Sequence, residues 1–167
     1  QRRQRVPGHD LELADGLDFV AEELNPQDGQ IKMGQVVRKV SEATGNKAVL
    51  VTDVGQNQMQ AARYFKFTQP RRRITSGGLG TMGFGLPAAI GAQIAAPERT
   101  VCFFTGDGGL QMTVEELGVI LQYNLPVKII LLNNNFLGMV RQWQELFYHE
   151  RYSETEMVNP DFVTLLK

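Results

Sequence analysis

Two apolar runs, each ending on polar residues and separated by a helix-length segment, constrain this chain more than any other feature. Val101-Cys102-Phe103-Phe104 leads through Thr105 into Gly106-Asp107-Gly108-Gly109, and Val127 to Leu132 leads into Asn133-Asn134-Asn135. A strand–helix–strand unit of this length in a parallel sheet delivers both strand ends to one edge. Open α/β sheets bind ligands at that edge. The Asp107 carboxylate and the amides of Asn133 to Asn135 are therefore expected within a few ångströms of each other.

The rest of the chain extends the same order. Met33, Val36, Val37, Val40 and Ala43 recur at helical spacing, and Gly45 stands where a C-cap glycine belongs. Ala48 to Val54 does not alternate polar with apolar residues, which marks a strand buried on both faces. Gly55 turns into a helix expected over Gln58 to Tyr64. Gln56 and Asn57 put neutral amides at its N-terminus, suited either to an anion or to simple capping. Ile74-Thr75 is a short strand, and Arg71-Arg72-Arg73 before it reads as a solvated basic patch. Five glycines between Gly77 and Gly85 allow a close backbone approach to a ligand, or tight helix–sheet packing. Pro87 suits the first turn of the small-residue helix that follows. Thr113-Val114-Glu115-Glu116 matches a capping box, so a helix is expected to start at Thr113 and end at Asn124 to Pro126. Met139, Trp143 and Phe147 share one face of a later helix, either as core or as a pocket wall. The alternation predicts a doubly wound, mostly parallel α/β sheet with helices on both faces, in a single domain. Residues 1–25 read as a linker from a preceding domain and 26–167 as the domain itself, cut short at its C-terminal end.

Composition removes several function classes. A net charge of −1 argues against a general nucleic-acid binder. No apolar run approaches the roughly 20 residues of a membrane span, and the N-terminus has no signal-peptide pattern. One cysteine, Cys102, allows no internal disulfide, and with His9 and His149 it makes no zinc ligand set. Neither a G-x-S-x-G elbow, a G-x-x-x-x-G-K-[ST] loop nor a G-x-G-x-x-G fingerprint is present. What remains is Gly106-Asp107-Gly108, then 24 residues, then Asn133-Asn134. An aspartate and an asparagine supply two oxygen ligands to Mg²⁺, a backbone carbonyl can supply a third, and diphosphate oxygens with water complete an octahedron. Glycines beside the aspartate expose backbone N–H groups to phosphate oxygens.

These residues resemble the thiamine diphosphate signature. Asp53 to Met59, Thr75 to Ala92 and Gly138 to Tyr148 narrow the likeness to the C-terminal, diphosphate-binding domain of the acetohydroxyacid synthase (acetolactate synthase) catalytic subunit. The resemblance implies that Asp107, Asn134 and the Phe136 carbonyl bind Mg²⁺. It implies that Gln56, Asn57, Gly108 and Gly109 hold the diphosphate, with Gly106 and Gly138 also among the cofactor-binding residues. Gly80 and Met82 would meet the aminopyrimidine, and Met139 and Trp143 would line the substrate entrance, Met139 also touching cofactor. Asn57 stands where many relatives carry histidine, which leaves that contact neutral at every pH.

The implied reaction is decarboxylation of pyruvate and addition of the two-carbon unit to a second 2-keto acid, pyruvate or 2-oxobutyrate. The activating glutamate would come from the pyrimidine-binding domain of another subunit in a homodimer or tetramer, so no catalytic residue is assigned here and the fragment alone is expected to be inactive. FAD in the full-length enzyme, a small regulatory subunit and a bacterial cytoplasmic setting are implied in the same way, with no nucleic acid and no membrane. A loop over Phe136 to Arg151 is expected to be mobile without ligand and partner. The rival readings are another thiamine-dependent 2-keto acid decarboxylase, oxidase or carboligase, and a non-catalytic Mg-nucleotide module.

Overall fold

The computed structural model describes residues 19–166. Most of the expected linker, residues 1–18, lies outside the described residues. Residues 19–24 are helical, however, and Val20 and Leu24 pack on the core while Glu23 accepts a hydrogen bond from the Gly34 amide at 2.8 Å. This part of the stretch read as linker therefore packs with the domain.

Four strands form one wholly parallel sheet: β1 (Val49–Thr52), β2 (Arg73–Thr75), β3 (Val101–Gly106) and β4 (Lys128–Leu132), in the order β2-β1-β3-β4. The helices around them are α1 (Met33–Ala43) before β1, α2 (Gln56–Tyr64), α3 (Gly85–Ala95), α4 (Asp107–Gln111) and α5 (Leu117–Gln122) between strands, and α6 (Gly138–Phe147) and α7 (Phe162–Leu165) after β4. β1 and β3 are buried on both faces, and alternate residues feed two cores. Leu50, Cys102 and Phe104 face Val37, Ala61 and Tyr64 of α1 and α2. Val49, Val51, Val101 and Phe103 face Leu86, Ala89 and Ile90 of α3, with Phe162 of α7. Fully burying a Leu or Phe contributes about 1.5–3 kcal/mol, so these two central strands anchor both layers. This is the doubly wound parallel α/β architecture. Burial pushes the Cys102 thiol up to about 11, which makes it an inert core group. Among the described residues, no helix is long and apolar enough to cross a membrane.

Helix starts depart from expectation in two places. α2 begins at Gln56, because Gly55 adopts φ +126° and ends the strand-to-helix turn in one residue. Asn57 is therefore inside the first turn and does not cap it. The Thr113 capping box does not form: the Thr113 hydroxyl donates to the Gly83 carbonyl at 3.2 Å, and residues Val114–Glu116 make a 3₁₀ turn before α5. A helix starts earlier, at Asp107 itself. Gly45, with φ +59°, follows the C-cap of α1 as expected.

Candidate functional site

The strand order reverses between β1 and β3, since the chain leaves β1 toward β2 and leaves β3 toward β4. Their C-terminal ends lie side by side, Thr52 opposite Phe104. A cleft opens there, at the switch point where doubly wound sheets bind ligands. Gly55 to Asn57 follow β1 into it, Gly106 to Gly109 follow β3, Asn134 and Phe136 to Val140 follow β4, and Met82 reaches in from the β2–α3 loop.

Besides α1, whose first residue Met33 lines the cleft, three helices begin there with open N-termini. The N-caps of α2, α4 and α6 are Gly55, Gly106 and Leu137, and none provides a side-chain hydrogen bond to the first turn. The leading N–H groups of a helix have no internal acceptor and carry partial positive charge. Each such terminus favours an adjacent anion by about 0.3–2 kcal/mol, depending on burial. Backbone amides are thus left available where the strands end.

Asp107 begins α4 and is 2% exposed. Its Oδ2 accepts a hydrogen bond from Asn159 Nδ2 at 2.7 Å, and the same nitrogen lies 2.9 Å from Asn133 Oδ1 and 3.0 Å from Asn135 Oδ1. Asp107 and the asparagine run are therefore brought together, through an amide that sequence reasoning missed. Asn134 turns the other way, into the cleft: its Nδ2 donates to Gln56 Oε1 at 3.5 Å, and its Oδ1 accepts from the Phe136 amide at 3.2 Å. Positive φ at Asn135 (61°) lets the loop fold so tightly. Phe136 also lines the cleft, and its ring carries the Arg141 guanidinium, which stacks between Phe136 at 4.1 Å and Tyr152 at 4.5 Å.

At Gly138 and Gly108 an added side chain would force its neighbours to move. A Cβ on Gly138 would lie 2.3 Å from Gln56 Oε1 and 2.9 Å from Asn134 Nδ2; one on Gly108 would lie 2.8 Å from Leu137 Cδ2. Met82 and Met139 supply apolar walls. Gly80 stays on the exposed part of its loop and is not a wall of the cleft. Trp143 stacks on Phe147 at 4.8 Å, but the two rings are 55% and 61% exposed, so the aromatic stripe is surface and not core. Trp143 is also outside the cleft wall.

Asp53 positions the loop that delivers Met82. It is wholly buried, and its carboxylate accepts from the Val54 amide at 2.6 Å and from the Gly83 amide at 3.0 and 3.1 Å, with the Gly85 amide also contributing. Burial holds its pKa above the ordinary carboxylate value despite these donors. Nothing in Asp53-Val54-Gly55 distinguishes a buried strut from a ligand by sequence alone.

Against this geometry, the family described as "Thiamine pyrophosphate enzyme, C-terminal TPP binding domain" matches residues 53–167. The chain belongs to that family. It is 50% identical over 141 residues to the acetolactate synthase large subunit of Lactococcus lactis, covering 84% of this chain and 24% of the relative. It is 54% identical over 131 residues to the isozyme 2 large subunit of Escherichia coli, covering 78% and 24%. Among solved structures, a thiamine diphosphate-dependent 4-hydroxybenzoylformate decarboxylase from Rhodococcus jostii superposes with a TM-score of 0.74 at 28% identity, over 81% of this chain and 26% of that one. The chain thus spans about a quarter of the length of these relatives.

The residues present fit a magnesium diphosphate. Uncapped amides, one carboxylate (Asp107), one side-chain amide (Asn134) and several glycines line the cleft. Asn57 adds a specific sign. Its Nδ2 donates to the Val54 carbonyl at 3.3 Å, while its buried Oδ1 has no partner among the described residues. A buried orphan acceptor costs about 1–3 kcal/mol, and a metal-bound or phosphate-bound water would relieve it. The second N–H of the same amide remains free for a phosphate oxygen.

Proposed function

We propose that this chain is the Mg²⁺- and diphosphate-holding domain of an acetolactate synthase, which decarboxylates pyruvate and joins the two-carbon unit to a second 2-keto acid. One observation carries the reading: three uncapped helix N-termini meet Asp107 and Asn134 at the sheet's switch point. Asp107 and Asn134 supply side-chain oxygens to Mg²⁺ and Phe136 its carbonyl. The first turns of α2, α4 and α6 receive the diphosphate, with Gln56, Asn57, Gly106, Gly108, Gly109 and Gly138 around it. Met82 packs against the organic part of the cofactor, and Met139 borders the substrate side. When bound, thiamine diphosphate supplies the electron sink for decarboxylation. This domain orients it, neutralises its phosphates and excludes water with apolar walls.

Among the described residues, Asp107 is the one acidic side chain lining the cleft. With that carboxylate committed to a cation, no group here is free to move a proton. The activating carboxylate comes from another domain across a subunit interface, and this domain alone turns nothing over. The approximately 50% identity to acetolactate synthase large subunits supports this reaction over that of the decarboxylase, whose fold it shares at 28% identity.

Calorimetric titration of Mg²⁺ and thiamine diphosphate into the whole protein, with ADP as competitor, tests the reading. Magnesium-dependent binding, unaffected by ADP and abolished by Asp107→Ala, is expected, together with acetolactate formation from pyruvate. Equal binding of ADP, or unchanged binding by the variant, refutes it.

A further inference from the structure

The segment after α6 folds back and ties itself to the asparagine loop. Leu137 N donates to Thr155 O at 2.8 Å and Met157 N to Asn135 O at 2.9 Å, with Phe136 and Glu156 bridged antiparallel. These backbone bonds place Asn159 without help from its own side chain. The side chain then makes four contacts. Its Oδ1 accepts from Gln111 Nε2 at 2.9 Å, and its Nδ2 faces Asp107 Oδ2, Asn133 Oδ1 and Asn135 Oδ1 at 2.7, 2.9 and 3.0 Å. Reversing the amide would set an oxygen against three oxygens and a nitrogen against the Gln111 amide nitrogen, so the orientation is fixed by the network.

We propose that Asn159, aimed by Gln111, is a positioning residue for the metal site: it holds one oxygen of Asp107 and turns Asn133 and Asn135 away, leaving Asp107 Oδ1 and Asn134 to the cation. This rests on the magnesium reading above. Asp107 Oδ2 is occupied by the 2.7 Å bond, and Oδ1 receives no hydrogen bond from the described residues. Asn133 and Asn135 point to the Asn159 side of the loop, while Asn134 points to Gln56. A carboxylate free to rotate would spread over orientations that a cation must narrow; a fixed one is pre-organised. Gln111 donates to Asn159 at 2.9 Å and meets Asp107 only at its backbone carbonyl, at 3.4 Å, so its reach to the carboxylate runs through Asn159. Neither residue touches the cation.

Mg²⁺ affinity is measured by calorimetry on the whole protein at saturating thiamine diphosphate, for Asn159→Ala, Gln111→Ala and the double variant, alongside apo melting temperatures. Outer partners of metal ligands are typically worth 10–100-fold in metal affinity. Asn159→Ala is expected to weaken Mg²⁺ by at least about tenfold with an apo melting temperature within about 2 °C of wild type. Gln111→Ala is expected to lose less, and the double variant no more than Asn159→Ala alone, because Gln111 works through it. A change below about threefold in Asn159→Ala, or loss that tracks a falling apo melting temperature in both single variants, overturns the proposal. If wild-type protein needs no Mg²⁺ to bind the cofactor, the magnesium reading falls first and takes this inference with it.

Discussion

The N-terminus of α3 and the N-termini of α2, α4 and α6 are built from the same backbone and treated in opposite ways. Ahead of α3 the chain satisfies itself: Asp53, wholly buried, takes the Gly83 amide, and the nearby Gly85 amide at the start of the helix lowers its pKa. α1 receives the Glu23 carboxylate at Gly34, and α7 is capped by Asp161, which accepts from the Val163 and Thr164 amides. The N-cap residues of α1 and α3 give no side-chain cap either, but at α2, α4 and α6 no other side chain among the described residues takes the first-turn amides. Internal carboxylates close the ends of α1, α3 and α7, while the first-turn amides of α2, α4 and α6 stay open toward the cleft. Fold and site use one piece of physics with the partner either supplied or withheld.

That contrast can be broken from either side. The largest effect is expected at the closed end. Asp53→Ala orphans the Val54 and Gly83 amides, at about 1–3 kcal/mol for each unpaired donor, and denaturant unfolding should show a loss of about 2–4 kcal/mol. Recovered stability near wild type would mean that the α3 terminus does not depend on its carboxylate. Two glycine variants then separate fold from site. Gly85→Ala drives a Cβ to 2.3 Å from Phe103 Cε2 and 2.9 Å from the Asp53 backbone nitrogen, atoms that cannot easily yield. Overpacking of this kind costs about 1–3 kcal/mol. Gly138→Ala instead collides with Gln56 Oε1 at 2.3 Å, the end of a flexible side chain. It should melt near wild type and bind Mg²⁺–thiamine diphosphate more weakly. Equal melting temperatures for the two variants would refute the distinction.

A smaller, pH-dependent effect follows from Asp53. Its folded pKa is raised, burial being the main cause, so the native state keeps this proton to higher pH than the unfolded chain does. The associated stability is present in full below the unfolded carboxylate value, and it declines as pH rises through the folded one. The unfolding free energy of wild type relative to Asp53→Asn should therefore fall from roughly pH 4 upward. A rising difference would reverse the assignment. The smallest effect is at Asp161, whose pKa is lowered chiefly by the Thr164 hydroxyl, then by the Thr164 and Val163 amides. Asp161→Ala should reduce stability slightly at neutral pH, with the difference vanishing as pH falls through the folded value; cofactor affinity should not move.

Much of this was legible in residue order. The β1 and β3 runs are continuous and apolar because both faces are covered, and glycine-rich turns at their ends announced the ligand edge. Asp107 and Asn134 could be paired because the β3–α–β4 spacing allows only one edge. Asn159 could not be read in advance. Its Asn-Pro-Asp-Phe context says that a helix follows, and nothing local says that the strap folds back across Asn135 to Leu137. Thr113 misled because a capping box competes with tertiary partners, and the Gly83 carbonyl took its hydroxyl. The Met139, Trp143 and Phe147 spacing gave the helix and its shared face, but periodicity carries no information about what that face meets.

The central claim is that the open termini of α2, α4 and α6 receive a metal diphosphate held by Asp107, Asn134 and the Phe136 carbonyl. A crystal structure of the whole protein with thiamine diphosphate and Mn²⁺, the metal located by anomalous scattering, tests it most directly. The expected result is one metal peak within direct coordination distance of those three oxygens, with phosphate oxygens on the first-turn amides of the three helices and Asn159 still on Asp107 Oδ2. A peak coordinated by Asn133 and Asn135, or a diphosphate bound away from those helix termini, would contradict the account.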